Sequence, residues 1–291
     1  MDSTSLKQNR ILVHVYGYKE SELLTAIDSL ISNASSDSIL DIYIDDQNNL
    51  TRLDKFRKYK NVFYNPVWWD EIPSPLTYRD SCIQAQKNKG YEYFLFLSKP
   101  HILPLNWDKT LITDLPDSSV FSGKGVVKAS VIDGFHIDKT YEHYDNISNT
   151  GYIDQSFIFG KFVDLLKINI PYQLKYYGID EYLSMSFLNN EIDVYSLPSN
   201  FYEDKTESLL KKDYVPFSIN HNYNDLLDIL LNQKSTYLKY EDPTKFIEKT
   251  GIQVSLLSRL PFSFNDIDYN RFSELDNIGG KRYIEKRDQV S

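Results

Sequence analysis

The sequence predicts an α/β fold, a sheet flanked by helices with a helical C-terminal extension. Two observations predict the sheet and its helices. Apolar, β-branched runs alternate with amphipathic stretches through the first half, as in RILVHVYGY, KESELLTAIDSLISNAS and SILDIYIDDQNN. Strand, helix and strand within roughly 35 residues is the spacing of a βαβ unit. A third observation predicts the extension: from about Tyr202 the chain is more polar and carries the helical stretch NDLLDILLNQ. We divide the chain into 1–201, the ligand-binding part, and 202–291, the extension, which is either a subdomain or the wrap of the same domain.

The elements follow in order. Arg10 to Tyr18 reads as a buried first strand that stops at Gly17. In the next stretch Leu23, Leu24, Ile27, Leu30 and Ile31 fall on one helical face. SILDIYIDD is a second strand ending in Asp45 and Asp46, and NVFYN a third after a short basic helix. PVWWDEIPSPL is a Pro-rich loop, and TYRDSCIQAQKNKG a helix closed by Gly90. YEYFLFL is a fourth strand, followed by Ser98-Lys99-Pro100-His101. NWDKTLITDL is a short helix, and SVFSGKGVVKASVI holds further strands. Asp133 to Gly151, polar and aromatic without period, reads as a loop over a cleft. IDQSFIFGKFVDLLKI is a strand and a short helix, DEYLSMSFLNN a helix, and IDVYSLPSN a strand with a Pro turn. EDPTKFIEKTGI is another helix, and GGKRYIEKRDQVS a surface arm.

Composition sets bounds on partners. The 32 basic and 41 acidic residues give a formal net charge of −9, which disfavours broad binding to nucleic acid or anionic membrane. One cysteine, Cys82, excludes an intrachain disulfide framework and suits a reducing compartment. The start MDSTSLKQNR has no apolar core of a signal peptide, and no apolar run reaches membrane-spanning length. A cytoplasmic location is the expectation. The 23 Tyr suit surfaces that bind sugars or protein partners, but Tyr also fills strands.

In open sheets, ligands bind beyond the carboxyl ends of the strands. Three such ends carry polar residues: Tyr16-Gly17-Tyr18, Asp45-Asp46-Gln47 and Ser98-Lys99-Pro100-His101.

From about Arg10 to Ile252 the order of these segments resembles the GT-A glycosyltransferases, and within them the N-acetylglucosaminyltransferase-like family that modifies protein hydroxyl groups. The likeness is carried by YRDSCIQAQKNKGYEYFLFL, by NWD, by SFIFGKF with the later IPYQLKYYGIDEYLSMSFLNNEIDVYSLPSN, and by FIEKTGI. It implies a GT-A-like, Rossmann-like mixed sheet, a nucleotide-sugar donor, in the first instance a UDP-sugar, and a protein or glycan acceptor. It also implies a Mn²⁺ or Mg²⁺ ion held by an Asp-X-Asp or Asp-Ser-His at the end of the central strand. Counted back from Trp107-Asp108, those positions are Ser98, Lys99 and Pro100, and His101 stands one place too late. None of the three suits a hard metal ion, so no metal ligands and no cofactor follow from the sequence.

The resemblance assigns the remaining roles, and each has a plain alternative. Tyr16 and Tyr18 stand where the uridine ring could stack, but strand-end tyrosines also simply pack. Asp45 and Asp46 would contact the base or ribose, or form an Asx turn. Arg79 would approach the donor phosphates, as a guanidinium suits a diphosphate, or pair with Asp80 or Glu71. Ser98, Lys99 and His101 would line the donor, with Lys99 supplying the charge a metal would have given; a loop Lys can also simply be solvated. Trp107 and Asp108 would lie on the acceptor side. Asp180 or Glu181 would be the general base, or a helix cap. His221 reads as a loop residue, and no metal spacing links His136 and His143. Two functions stay open: a metal-independent glycosyltransferase, or an inactive glycosyltransferase-like domain that serves as a structural or binding component of a larger assembly.

Overall fold

The computed structural model describes residues 8–17, 20–46, 58–66, 83–124, 126–133, 136–168, 179–204, 244–250 and 253–254. Of the basic helix expected from Leu50 to Tyr59, residues 50–57 lie outside them and 58–59 are not helical. The Pro-rich loop from residue 67, the stretch NDLLDILLNQ and the C-terminal arm also lie outside, as do Tyr18, Arg79, Cys82 and His221.

The chain is α/β, and among the described residues its main sheet has eight strands. β1 (Asn9–Gly17), β2 (Ser38–Asp46), β3 (Val62–Pro66) and β4 (Tyr93–Leu97) are parallel and lie in the order β3-β2-β1-β4. That is the order of one half of a Rossmann-like sheet. Beside β4 the sheet becomes mixed. β10 (Phe157–Lys161) pairs antiparallel with both β4 and β6 (Ser119–Ser122). β11 (Asp193–Ser196) then runs parallel to β6, and β9 (Ser148–Asn149) closes the edge.

Strand alternation sorts the core into two layers. Ile11, Val13, Val15, Leu95 and Leu97 pack with Leu23, Ile27 and Leu30 of α1 (Glu20–Ser32) and with Trp107 and Leu111 of α2 (Trp107–Asp114). On the other face Leu12, Phe94 and Phe96 pack with α3 (Phe162–Leu165) and with Tyr182, Leu183 and Phe187 of α4 (Ile179–Asn189). Ile31, expected on the apolar face of α1, is 38% exposed. It stands in the last turn of the helix, one residue beyond Leu30 of the buried stripe. Gly90, with φ 74°, follows the helical residues 83–86 and turns the chain into β4, as expected.

The stretch Asp133 to Gly151 is a correction. Instead of a loop it contains β8 (His136–Glu142), paired antiparallel with β7 (Val126–Asp133) from Val126↔Glu142 to Asp133↔His136. Two residues join them, so local backbone pairing specifies a strand that apolar periodicity does not mark. β13 (Gln253–Val254) adds to β7 as a third strand. β12 (Glu203–Asp204) pairs with β5 (His101–Ile102), and Phe246 of α5 (Thr244–Thr250) is fully buried in the α4-side core.

Candidate functional site

One edge of the sheet gathers the candidate positions. The strand ends stand in register there: Tyr16 and Gly17 beside Asp45 and Asp46, those beside Asn65 and Pro66, and Val15 beside Leu97. Ser98 and Lys99 follow Leu97 directly. Ser98 is buried, and its backbone N–H donates to the Ser156 carbonyl at 3.2 Å. Lys99 is half-buried, and among the described residues it has no hydrogen-bond or ion-pair partner.

The segment 152–156 joins this edge to the N-terminus of α4. The Gln155 N–H donates to Asp180 Oδ1 at 3.4 Å, and Tyr152 OH donates to Glu181 Oε1 at 3.0 Å. The Ile153 N–H donates to Ser184 Oγ at 2.8 Å, and Ser184 in turn donates to the Asp180 carbonyl at 2.6 Å. Asp154 keeps the segment compact: its carboxylate accepts the Ser156 N–H and hydroxyl, both at 2.9 Å. Its own N–H donates to Ser122 Oγ at 2.6 Å. This tight turn leaves no room at Gly123, where an added Cβ would collide with Asp154 Oδ2 and come within 2.9 Å of Ser156 Oγ. Gly123→Ala is expected to cost about 1–3 kcal/mol of stability, read as a lower urea midpoint.

Several expected site residues are placed differently. Tyr16 is fully buried on the face of Leu12, so its ring is not open to a base. His101 is fully buried too, with Nε2 3.1 Å from the Ser156 carbonyl and its ring 4.3 Å from that of Tyr202. It packs β5 onto the sheet rather than lining a donor. Trp107 and Asp108 are both fully buried. The indole N–H donates to the Leu30 carbonyl at 3.1 Å, and the carboxylate accepts the Ser35 N–H at 2.8 Å and its hydroxyl at 2.6 Å. The pair staples α2 to the end of α1, and both side chains are taken up by these contacts. Glu181 is 1% exposed, whereas Asp180 is partly exposed. Of the two carboxylates, Asp180 is the one with surface exposure. Of His136 and His143, the latter is exposed, its Nδ1 3.1 Å from the Lys124 carbonyl.

Tyr152, Gln155 and Ser184 were not singled out in the sequence. The signal was Ser184 within the run Tyr182 to Leu188, every residue of which is buried. A buried hydroxyl needs a partner, and here the partners are the Ile153 N–H and the Asp180 carbonyl.

The shifted titrations lie away from this edge. Burial pushes the Asp108 carboxyl up, but the hydrogen bonds from the Ser35 hydroxyl and backbone N–H outweigh it and hold it below the usual range. Burial, then the hydrogen bond to Asp41 at 2.6 Å, pushes the Tyr91 hydroxyl above its usual range at the opposite end of the sheet. A carboxyl depressed in the folded state stabilises above its unfolded pKa, and the gain is lost as pH falls through the folded value. Asp108→Asn should therefore cost about 1.5–3 kcal/mol near pH 7. The gap between wild-type and variant urea midpoints should close below about pH 4.

The donor set at the expected metal position does not fit a hard cation. Ser98 is buried with its backbone committed, Lys99 is cationic, and Pro100 has no side-chain donor. Among the described residues no group of three or more His, Cys, Asp or Glu could hold a metal ion, and no helix is long and apolar enough to cross a membrane. A shallow open groove lies beside the edge, between Ile102, Pro104, Lys124, Phe201 and Glu203. No expected site residue lines it.

Comparison with known proteins adds distant neighbours. Two crystal structures of S. aureus TarS are similar to this chain. The structure of TarS 1-349 is 15% identical with a TM-score of 0.44, over 65% of this chain and 60% of that one. The other is 13% identical with a TM-score of 0.48, over 76% of this chain. The chain spans 40% of that second structure's length. No family model matches, and no curated protein matches. The fold assignment rests on the strand order and register.

Proposed function

We propose that the protein is a metal-independent glycosyltransferase that moves a sugar from a UDP-sugar to a hydroxyl of a protein or glycan. The observation that carries the proposal is the tie between Asp180 and the end of β4. Gln155 meets the Asp180 carboxylate, and one residue later Ser156 meets Ser98, beside Lys99. A carboxylate, and an ammonium with no partner among the described residues, at one sheet edge are the two groups such a transfer requires.

In this reading Asp180 takes the proton of the acceptor hydroxyl. The acceptor oxygen attacks C1 of the sugar, the bond from C1 to the diphosphate oxygen breaks, and the electron pair leaves on UDP. Lys99 balances the growing negative charge, with Arg79 as a second cation. Asp45 and Asp46, at the neighbouring strand end, contact the base or ribose. Ser98 shapes the turn through its backbone.

Calorimetric titration with UDP and with UDP-sugars, once in Mn²⁺ and once in EDTA, tests this. Binding is expected in both conditions, and Lys99→Ala should weaken it by about tenfold or more, the loss of one charge-assisted contact. No binding in either condition would overturn the proposal and leave the inactive, assembly-type reading.

A further inference from the structure

We infer that Tyr152 is the residue that positions Asp180 for catalysis, with buried Glu181 as its anchor and α5 as its support. This rests on Asp180 being the base.

Tyr152 is fully buried, yet its hydroxyl lies between two adjacent carboxylates, 3.0 Å from Glu181 Oε1 and 3.5 Å from Asp180 Oδ2. A hydroxyl has one proton to give, and the shorter contact takes it. The bond to Glu181 therefore fixes the first turn of α4 against residue 152, and Asp180, one residue earlier, is turned toward Gln155. Rotation about the helix axis would undo both contacts, because neighbouring residues on a helix point about 100° apart. Two further bonds resist it, from Ile153 to Ser184 and from Ser184 back to the Asp180 carbonyl.

The Tyr152 ring is held from the other side by Phe246, with centroids 6.5 Å apart and planes 28° from parallel. Phe246 is fully buried, and the Thr250 hydroxyl caps its own helix by donating to the Phe246 carbonyl at 2.7 Å. A residue late in the chain thus reaches the base through one aromatic ring. Glu181, expected as an alternative base, instead holds the ring that places its neighbour.

Tyr152→Phe keeps the ring on Phe246 and removes only the hydroxyl, so it separates positioning from packing. The expected result is a fall in kcat of about 10- to 100-fold, the usual cost of a misplaced reacting group. KM for donor and acceptor and the calorimetric Kd for UDP should stay at wild-type values. Glu181→Gln keeps an oxygen that can accept the phenol proton, so its kcat should fall less than that of Asp180→Asn. Phe246→Leu, measured on the full chain, should lower kcat in the same sense, with UDP affinity kept. An unchanged kcat in Tyr152→Phe would overturn the inference, as would a loss traced wholly to a raised KM. If Glu181→Gln is inactive while Asp180→Asn is active, the base assignment itself fails. A wild-type protein that binds UDP-sugar and transfers nothing sinks the transferase reading and this inference with it.

Discussion

Asp180→Asn is expected to lower kcat by about 10²- to 10⁴-fold, the range for removing a general base. UDP affinity should not change. Asn is isosteric and keeps an oxygen for the Gln155 N–H at 3.4 Å, so the geometry of the segment 152–156 survives while the proton acceptor is lost. The same substitution removes a negative charge from the first turn of α4, where a carboxylate is favoured by about 0.3–1 kcal/mol. A small drop in thermal midpoint is therefore part of the expected result. The decisive readout is kcat against KM: a raised KM with unchanged kcat would mean that Asp180 binds acceptor and does no proton transfer.

The largest effect on stability is expected at Trp107. It is fully buried between α1 and the sheet, packed with the cluster that holds Leu30, Leu95 and Phe157. Trp107→Ala should cost about 3–5 kcal/mol through the lost burial and the cavity left behind. The Leu30 carbonyl, which accepts the indole N–H at 3.1 Å, would lose its partner, adding about 1–3 kcal/mol if it stays dry. Such a loss is comparable with the total stability of many domains. Trp107→Phe, which refills most of the space, is the variant to purify. Its urea midpoint should fall without a change in slope, and its KM for acceptor should match wild type. A selective rise in acceptor KM would instead support an acceptor-side role for Trp107.

Much of the fold was legible because periodicity and burial agree. β1 and β4 are largely apolar on both faces, as strands between two helical layers must be, and β2 is apolar on the face of Ile42 and Ile44; they read as such. α1 and α4 showed their buried stripes in Leu23, Ile27 and Leu30, and in Leu183 and Phe187. β8 was missed because its pairing is with the neighbouring strand of its own hairpin, and that leaves no apolar signature in His136 to Glu142. The candidate site was legible by sequence position, but its burial was not. Sequence order alone put Lys99 and the Asp180-Glu181 pair at one strand end and one helix start. It could not tell which carboxylate is exposed, since both stand in the first turn and differ only by the rotation of one residue. Nor could it show that Trp107-Asp108 is consumed by Leu30 and Ser35, contacts that cross more than 70 positions of chain. Tyr152 was one tyrosine among 23 until its hydroxyl was found between two carboxylates.

The central claim is that the end of β4 and the start of α4 form one ligand site. Amide hydrogen exchange with and without UDP-N-acetylglucosamine or UDP-glucose tests it most directly, because it needs no turnover and reads each segment separately. Slower exchange is predicted jointly at 97–101, 152–156 and the first turn of α4. Protection confined to the groove at Lys124 and Phe201, or at 97–101 with α4 unchanged, would contradict it.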